Sequence, residues 1–369
     1  MTSRLSTRAV VVRDPGAALE DVEVEHPRPG EVLVRVAATG VCGSDLHVLH
    51  GTSPVAVLPM VLGHEGAGVV EEVGAGVTDV VPGDHVVLAL YGPCGRCRFC
   101  RSGRFPLCEG AARIAAITGL MEDGTTRVRA ADGAPLRPFV GLGTMAGYAV
   151  VRESQLVKVD PAIPLELICL AGCGVTTGLG AVFNIARVAP GDSVAVVGCG
   201  GVGLNVVQGA RIAGATTIVA LDTNPHKLEL ATRLGATHAA DPAGGIREAV
   251  EAVLPGGVDV AFEVVGSPAL VAEVFTATRP GGTTVMVGSP PNGTTVPIDS
   301  RALFAERRLF GCTGGSNIPA RDIPRIAALY REGTLDLETL VTRRRPLGEF
   351  ADAVAEAERG EVARTVLLP

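Results

Sequence analysis

The sequence predicts an α/β protein of two parts: a β-rich first part, and a doubly wound parallel-sheet part that begins near Val175. Three observations predict it. Residues 8–40 alternate with the period of strands. From about Val175 short apolar strands alternate with helical stretches, the rhythm of parallel strands joined by crossover helices. One of those strands, Ser193–Val197, runs directly into the glycine-rich turn Gly198-Cys199-Gly200-Gly201-Val202-Gly203.

Bulk properties set the limits. A length of 369 residues suits two domains, and 47% apolar content suits two cores. Aromatics are only 3%, so those cores are made of Val, Ala, Leu and Ile. A net charge of -7 gives no general affinity for nucleic acid or anionic lipid. The basic run Arg343-Arg344-Arg345 reads as a solvated face. No window holds eighteen apolar residues free of charge, so no membrane span is expected. The first residues read as no secretion signal, and nine cysteines without one point to reduced thiols and a cytoplasmic address. In that compartment close cysteine spacing favours metal over disulfide.

In chain order, Ala9–Val12, Val22–Val24 and Val32–Val36 read as strands separated by Pro27, Pro29 and Gly30. Gly63 to Val81 alternates like one twisted strand, and Val86–Leu88 follows the turn Pro82-Gly83-Asp84. Beyond Val175, Ser193–Val197, Thr217–Leu221, Val258–Val265 and Thr283–Val287 read as strands; 202–212 and 225–234 read as helices. A mixed tail follows Gly314, with an amphipathic helix over 350–358.

Two cysteine constellations carry metal chemistry. Cys94, Cys97, Cys100 and Cys108 stand as C-x2-C-x2-C-x7-C among turn-forming glycines. Four thiolates so close suit a closed tetrahedral zinc site, which stabilises a lobe and does no chemistry. An iron–sulfur cluster is the competing reading of such triplets. The catalytic candidate is Cys42, His64 and Cys173, two thiolates and an imidazole that leave a fourth position open. Read singly, each is an ordinary buried or surface residue; together with the glycine-rich turn they form a hypothesis. Glu65 and Asp45 read as carboxylates that orient these ligands.

The glycine-rich turn has the strand before it and the helix after it that dinucleotide binding requires, with Asp222 at the end of the next strand. Glycines permit the tight turn and let the pyrophosphate approach the helix N-terminus. Asp222 accepts from the adenosine ribose and repels a 2′-phosphate, which favours NAD over NADP. Lys227 lies five residues on, within reach of the same ribose.

These residues together resemble the zinc-dependent alcohol dehydrogenases of the medium-chain dehydrogenase/reductase superfamily, especially the branch of class I and the class III, glutathione-dependent formaldehyde dehydrogenases. The resemblance spans the chain and is carried by Gly63-His64-Glu65-Gly66-Ala67-Gly68-Val69, the four-cysteine lobe, Gly119 to Thr125, Gly172-Cys173-Gly174-Val175-Thr176-Thr177-Gly178, the Gly198 turn and Arg364-Thr365-Val366-Leu367. It implies a GroES-like catalytic domain over 1–174 and 313–369, with a structural-zinc lobe near 92–110, around a Rossmann NAD-binding domain over 175–312. It implies two zinc ions and one NAD per chain, a small alcohol or aldehyde substrate, and a homodimer, or a homotetramer, joined through the Rossmann sheets. It implies a proton relay through Ser44 and His47, a carboxylate role for Glu65, and contacts of Thr177, Val202 and Val287 around the nicotinamide. It further implies Val264 among the cofactor contacts and Arg364 at the pyrophosphate.

The implied reaction is transfer of hydride from a primary alcohol to NAD, or the reverse, as the proton leaves through Ser44, the nicotinamide ribose and His47. Gly43 departs from the family, whose class I members often carry Arg or His there. Arg113 stands one position off the arginine that class III enzymes use for the thiol adduct. The expected pocket, with Leu90 or Tyr91, Met145, Ser289 and Ser44, lacks a bulky aromatic pair. The favoured substrate is therefore a medium-sized benzylic, allylic or biosynthetic alcohol. The alternatives are a thiol-dependent formaldehyde dehydrogenase and a silent dinucleotide-binding member; the intact Cys42, His64, Cys173, Ser44 and His47 oppose the latter.

Overall fold

The computed structural model describes residues 4–14, 16–53, 55–110 and 117–369. They form two units. One holds Met1–Cys173, Ile318–Gly333 and Val341–Pro369; the other holds Gly174–Asn317 and Thr334–Leu340.

In the first unit the strand Leu5–Val12 is half-exposed where it meets one neighbour and fully buried where it meets two. It pairs with Ala17–Val24 along its length and with Met60–Val61 at Val11 and Val12. With Val128–Ala130 and Pro135–Pro138 these strands close a small barrel. Beside it lies a seven-stranded sheet whose central strand is Glu31–Gly40. That strand pairs with Glu65–Val73 on one side, and on the other first with Tyr148–Arg152 and then with Arg364–Leu368. Being paired on both edges and covered on both faces, it is an almost continuous apolar run. Its register sets Gly40 opposite Glu65.

The alternation from Gly63 to Val81 is not one strand. It ends at Val73, because the next residue, Gly74, packs so tightly that a Cβ there would lie 1.9 Å from the Arg28 carbonyl oxygen. The chain then turns back to donate from Gly74 N–H to Glu31. At the start of the central strand the buried Arg127 grips Glu31 through two hydrogen bonds of 2.7 and 2.6 Å.

The second unit is a six-stranded parallel sheet in the order His238–Ala240, Thr217–Leu221, Ser193–Val197, Val258–Glu263, Thr278–Met286, Arg308–Gly311. Its interior strands read as unbroken apolar runs because helices cover both faces. Ala195, Val197, Leu221 and Ala261 of the sheet pack with Ile246, Val250 and Val274 of the helices. The helices start and stop where side chains dictate. Asn224 caps Pro225–Leu234 by accepting from His226 N–H, and Gly214 ends Gly201–Ala213 in a left-handed conformation.

Two boundaries differ from the sequence expectation. Residues 313–317 stay with the parallel sheet, since Gly180 of the helix Gly174–Gly180 packs against the Gly315 backbone with no room for a side chain. Thr334–Leu340 also belongs there, held by buried Gln208, which accepts from Asp336 N–H at 2.8 Å and donates to its carbonyl at 3.1 Å. Among the described residues no single helix is long and apolar enough to cross a membrane.

Removing one partner of the Arg127–Glu31 pair strands a buried charge. Arg127→Met is therefore expected to destabilise the first unit by about 3–5 kcal/mol, and the double variant with Glu31→Gln to recover most of that loss. Urea unfolding midpoints of the single and double variants check this; equal midpoints for both would contradict it.

Candidate metal and dinucleotide sites

Three strand ends of the first unit converge. The C-terminal end of Glu31–Gly40 leads through Val41 to Cys42, its antiparallel neighbour begins at Glu65, and the other neighbour begins at Arg364. Antiparallel pairing is what places one strand's end beside the start of the next. Cys173 follows the short helical turn Cys169–Gly172, docked by the Leu90 N–H on the Gly172 carbonyl at 3.3 Å.

One ligand atom each from Cys42, His64, Glu65 and Cys173 lies within 4.8 Å of the others. Glycines make this approach possible. A Cβ on Gly40 would sit 2.3 Å from Glu65 Oε2, and one on Gly172 would sit 2.7 Å from the Leu88 carbonyl oxygen. Gly63 has φ of +93°, and a Cβ there would meet the Met145 backbone nitrogen at 2.4 Å.

Asp45 organises the cluster. It is fully buried, and its carboxylate accepts from Cys42 N–H at 3.0 Å and from Gly63 N–H at 3.2 Å. Its Oδ1 also stands 3.4 Å from His64 Nδ1. From the third position of the helix Gly43–Leu49 it thus reaches back to the helix cap and across to the other ligand segment. Phe139 packs edge-to-face on the imidazole, with centroids 5.3 Å apart. Both His64 ring nitrogens are buried, and neither makes a hydrogen bond.

The electrostatics suit a cation. A hydrogen bond from the Cys173 thiol, with the Arg364 charge and His64 behind it, holds the Cys42 thiol well below its ordinary value against the cost of burial. The same shared hydrogen bond and burial push Cys173 well up. Burial lifts Glu65 to about 8 even though Arg364 pulls the other way. Burial opposes charge on His64, but Asp45 and Cys42 outweigh it and raise its pKa. Two thiols, an imidazole nitrogen with no hydrogen bond and a buried carboxyl thus share too few positive charges. A divalent ion supplies them and releases the protons, so the residues present fit zinc.

Arg364 stands beside the metal cluster, its Nη2 3.5 Å from Glu65 Oε1 and 3.8 Å from Cys42 Sγ. Ser44 is half-buried on the short helix; His47 is exposed and bonded to Thr52 Oγ1 at 3.1 Å. His50 pairs with Glu358 at the surface. Met145, expected on a pocket wall, is sealed in the core, where its N–H donates to Leu62. Arg113 lies outside the described residues.

The four-cysteine lobe folds as its spacing predicts. Its sulfurs all lie within 4.8 Å of one another. Backbone N–H groups of Cys94 and Gly110 point at Cys108 Sγ, and that of Cys100 at Cys97 Sγ, at 3.2–3.4 Å. The Cys100 and Glu109 amides hold Cys97 at about 6, as befits a thiolate ligand. A Cβ on Gly110 would lie 3.0 Å from Cys94 Sγ, so only glycine closes this lobe.

In the second unit Gly198 has φ of +94°, and a Cβ on Gly203 would be 1.9 Å from the Gly198 carbonyl oxygen. A Cβ on Gly200 would meet nothing within 4 Å, so its backbone lies open to a ligand. The helix Gly201–Ala213 begins there and offers its first N–H groups to an anion. Asp222 is half-buried and pinned by Cys199 N–H at 2.8 Å and Asn224 N–H at 2.9 Å, which leaves lone pairs for ribose hydroxyls. Lys227 is half-buried on the next helix. Thr177 is buried on Gly174–Gly180; Val264 and Val287 follow adjacent strand ends, bonded to Val197 and Glu263. Val202 is half-buried in the first turn of the glycine-loop helix.

Sequence reasoning missed Gly40, the close packing of Gly172, and Phe139. A glycine close to each ligand segment was the available signal for the first two; the Phe139 contact joins distant segments and leaves none.

Comparison with known proteins agrees. Residues 28–161 match the alcohol dehydrogenase GroES-like domain, and 201–331 match the zinc-binding dehydrogenase domain. An S-(hydroxymethyl)glutathione dehydrogenase of Escherichia coli is 44% identical, covering 98% of this chain and 100% of the relative. The crystal structure of an alcohol dehydrogenase zinc-binding domain protein from Burkholderia ambifaria is 40% identical with a TM-score of 0.94, covering 100% of both chains. That of benzyl alcohol dehydrogenase from Acinetobacter calcoaceticus is 33% identical with a TM-score of 0.92, covering 99% of both. The chain belongs to the zinc-dependent alcohol dehydrogenases of the medium-chain dehydrogenase/reductase superfamily. Within it the protein is an NAD-dependent zinc enzyme.

The purified chain is expected to carry about two zinc ions, and Asp45→Asn to bind the more exchangeable one about 10- to 100-fold more weakly while the other stays. Metal analysis during chelator titration checks this. A single zinc in the wild type, or unchanged exchange in the variant, would contradict it.

Proposed function

We propose that the protein interconverts a medium-sized primary alcohol and its aldehyde. The observation that carries this is the buried Cys42–His64–Cys173 cluster with Glu65 beside it, in a chain that also holds the dinucleotide turn. Cys42, His64 and Cys173 would hold the catalytic zinc, and Cys94, Cys97, Cys100 and Cys108 the structural one. Zinc supplies Lewis acidity at the alcohol oxygen, and NAD supplies the hydride acceptor. The chain's residues do the rest. Asp45 orients His64 and fixes the Cys42 backbone. Arg364 offsets the negative charge of Glu65 and the thiolates. Ser44 accepts the alcohol proton and His47, being exposed, passes it to water. Asp222 favours NAD by repelling a 2′-phosphate.

A second reading rests on the relatives. The 44% identical proteins are named for S-(hydroxymethyl)glutathione, itself a primary carbinol, so the same residues serve it. The name of a 33% identical structure supports a benzylic alcohol. That none of the nine cysteines is paired in a disulfide supports a cytoplasmic address.

We also propose a homodimer. Arg308–Gly311 pairs on one edge only among the described residues, and Phe304 and Phe310 beside it are 86% and 44% exposed. An open sheet edge flanked by apolar side chains fits the same edge of a second copy.

NADH formation is expected with benzylic or allylic alcohols, and Ser44→Ala should lower kcat about 100-fold or more with little change in zinc content. Turnover only of formaldehyde with added glutathione would favour the second reading; no turnover on either would overturn both. Light scattering is expected to give twice the chain mass, and Phe310→Asp to give the monomer.

A further inference from the structure

Glu263 ends the strand Val258–Glu263 and is completely buried, yet no step above uses it. Its Oε1 receives three consecutive backbone N–H groups, from Val265 at 2.9 Å, Gly266 at 2.7 Å and Ser267 at 3.2 Å. Ser267 precedes the helix Pro268–Thr276 and makes no side-chain cap bond of its own. One carboxylate therefore gathers the three amides of the turn that leads into this helix. The same residue's carbonyl oxygen accepts from Val287 and Gly288 N–H at 2.8 and 3.0 Å.

These bonds tie together three loops. A Cβ on Gly198 would lie 2.7 Å from the Val265 side chain, and one on Gly288 would lie 2.0 Å from Gly266 N. A Cβ on Gly266, whose φ is +90°, would lie 2.7 Å from the Ser289 carbonyl oxygen. The loops after Ser193–Val197, Val258–Glu263 and Thr278–Met286 thus interlock, Val265 on Gly198 and Gly266 on Gly288. The place is specific. Strand order reverses between Ser193–Val197 and Val258–Glu263, where Val197 pairs with Glu263, and open α/β sheets bind their ligands outside the strand ends at such a reversal.

We propose that Glu263 is a positioning residue for the dinucleotide: by gathering the amides of Val265, Gly266 and Ser267 it holds the walls of the cofactor crevice in their binding geometry. It touches no substrate, and it acts through the loops. The inference rests on the NAD-binding reading, and wild-type binding of NADH tests that reading separately.

The test is NADH affinity, read from NADH emission in this tryptophan-free chain, for Glu263→Gln and Glu263→Leu beside wild type. Gln keeps an oxygen acceptor of the same shape and is expected to stay within about threefold of wild type. Leu leaves the three part-buried N–H donors without that acceptor, frees the loop, and should weaken NADH about tenfold or more. In turnover the KM for NAD should rise in Leu with the KM for alcohol and the zinc content unchanged. Gly288→Ala, which displaces the same loop with Glu263 intact, should also weaken NADH and keeps the question answerable if the Leu variant does not fold. Wild-type affinity in both Leu and Gly288→Ala would overturn the proposal, as would a loss in Gln equal to that in Leu. Failure of the wild type to bind NADH would instead overturn the reading beneath it.

Discussion

A single buried carboxylate sets the metal cluster. Asp45 draws together the backbone of Cys42 and the backbone beside His64, two segments separated by a long loop. Burying an ion in an apolar core is costly unless its lone pairs are filled, and here two amides fill them while the His64 ring stands 3.4 Å away. The charge then does two things at once. It faces the His64 ring, and it anchors the first turn of the helix that carries Ser44 and His47. Ligand geometry and relay geometry depend on the same group.

Around it the fold contributes close approach. Gly40, Gly63 and Gly172 bring backbone against side chain where any Cβ would collide. Arg364 enters as the counter-charge from the last strand of the chain, so the cluster is assembled from residues near both ends of the sequence. The second unit uses glycine the same way. Gly198 and Gly203 allow the turn to fold on itself, and Gly266 and Gly288 let the neighbouring loops touch. In both units a buried carboxylate, Asp45 or Glu263, collects the amides that such close packing would otherwise leave unpaired.

Much of this was legible in the sequence. The strands Ser193–Val197 and Thr217–Leu221 and the helices over 225–234 and 350–358 have the limits their patterns predict, because local periodicity and capping residues set them. The strand read from Gly63 to Val81 overran, because its end is set by a tertiary contact of Gly74 with Arg28. Thr334–Leu340 was assigned to the wrong side, because its anchor is Gln208, far away along the chain. Met145 looked like a pocket residue and is core, since burial follows from what packs on it.

By itself the sequence determined the donor set, the four-cysteine lobe and the glycine turn with its aspartate, because each is written in residue type and short spacing. Tertiary structure alone decided that Cys42, His64, Glu65 and Cys173 meet, and that Arg364 turns toward them. It alone showed that Glu263 is spent on three amides. The physical reason is the same in each case. Strand register and buried hydrogen bonds join residues far apart in the chain, and no local pattern records which partners they choose.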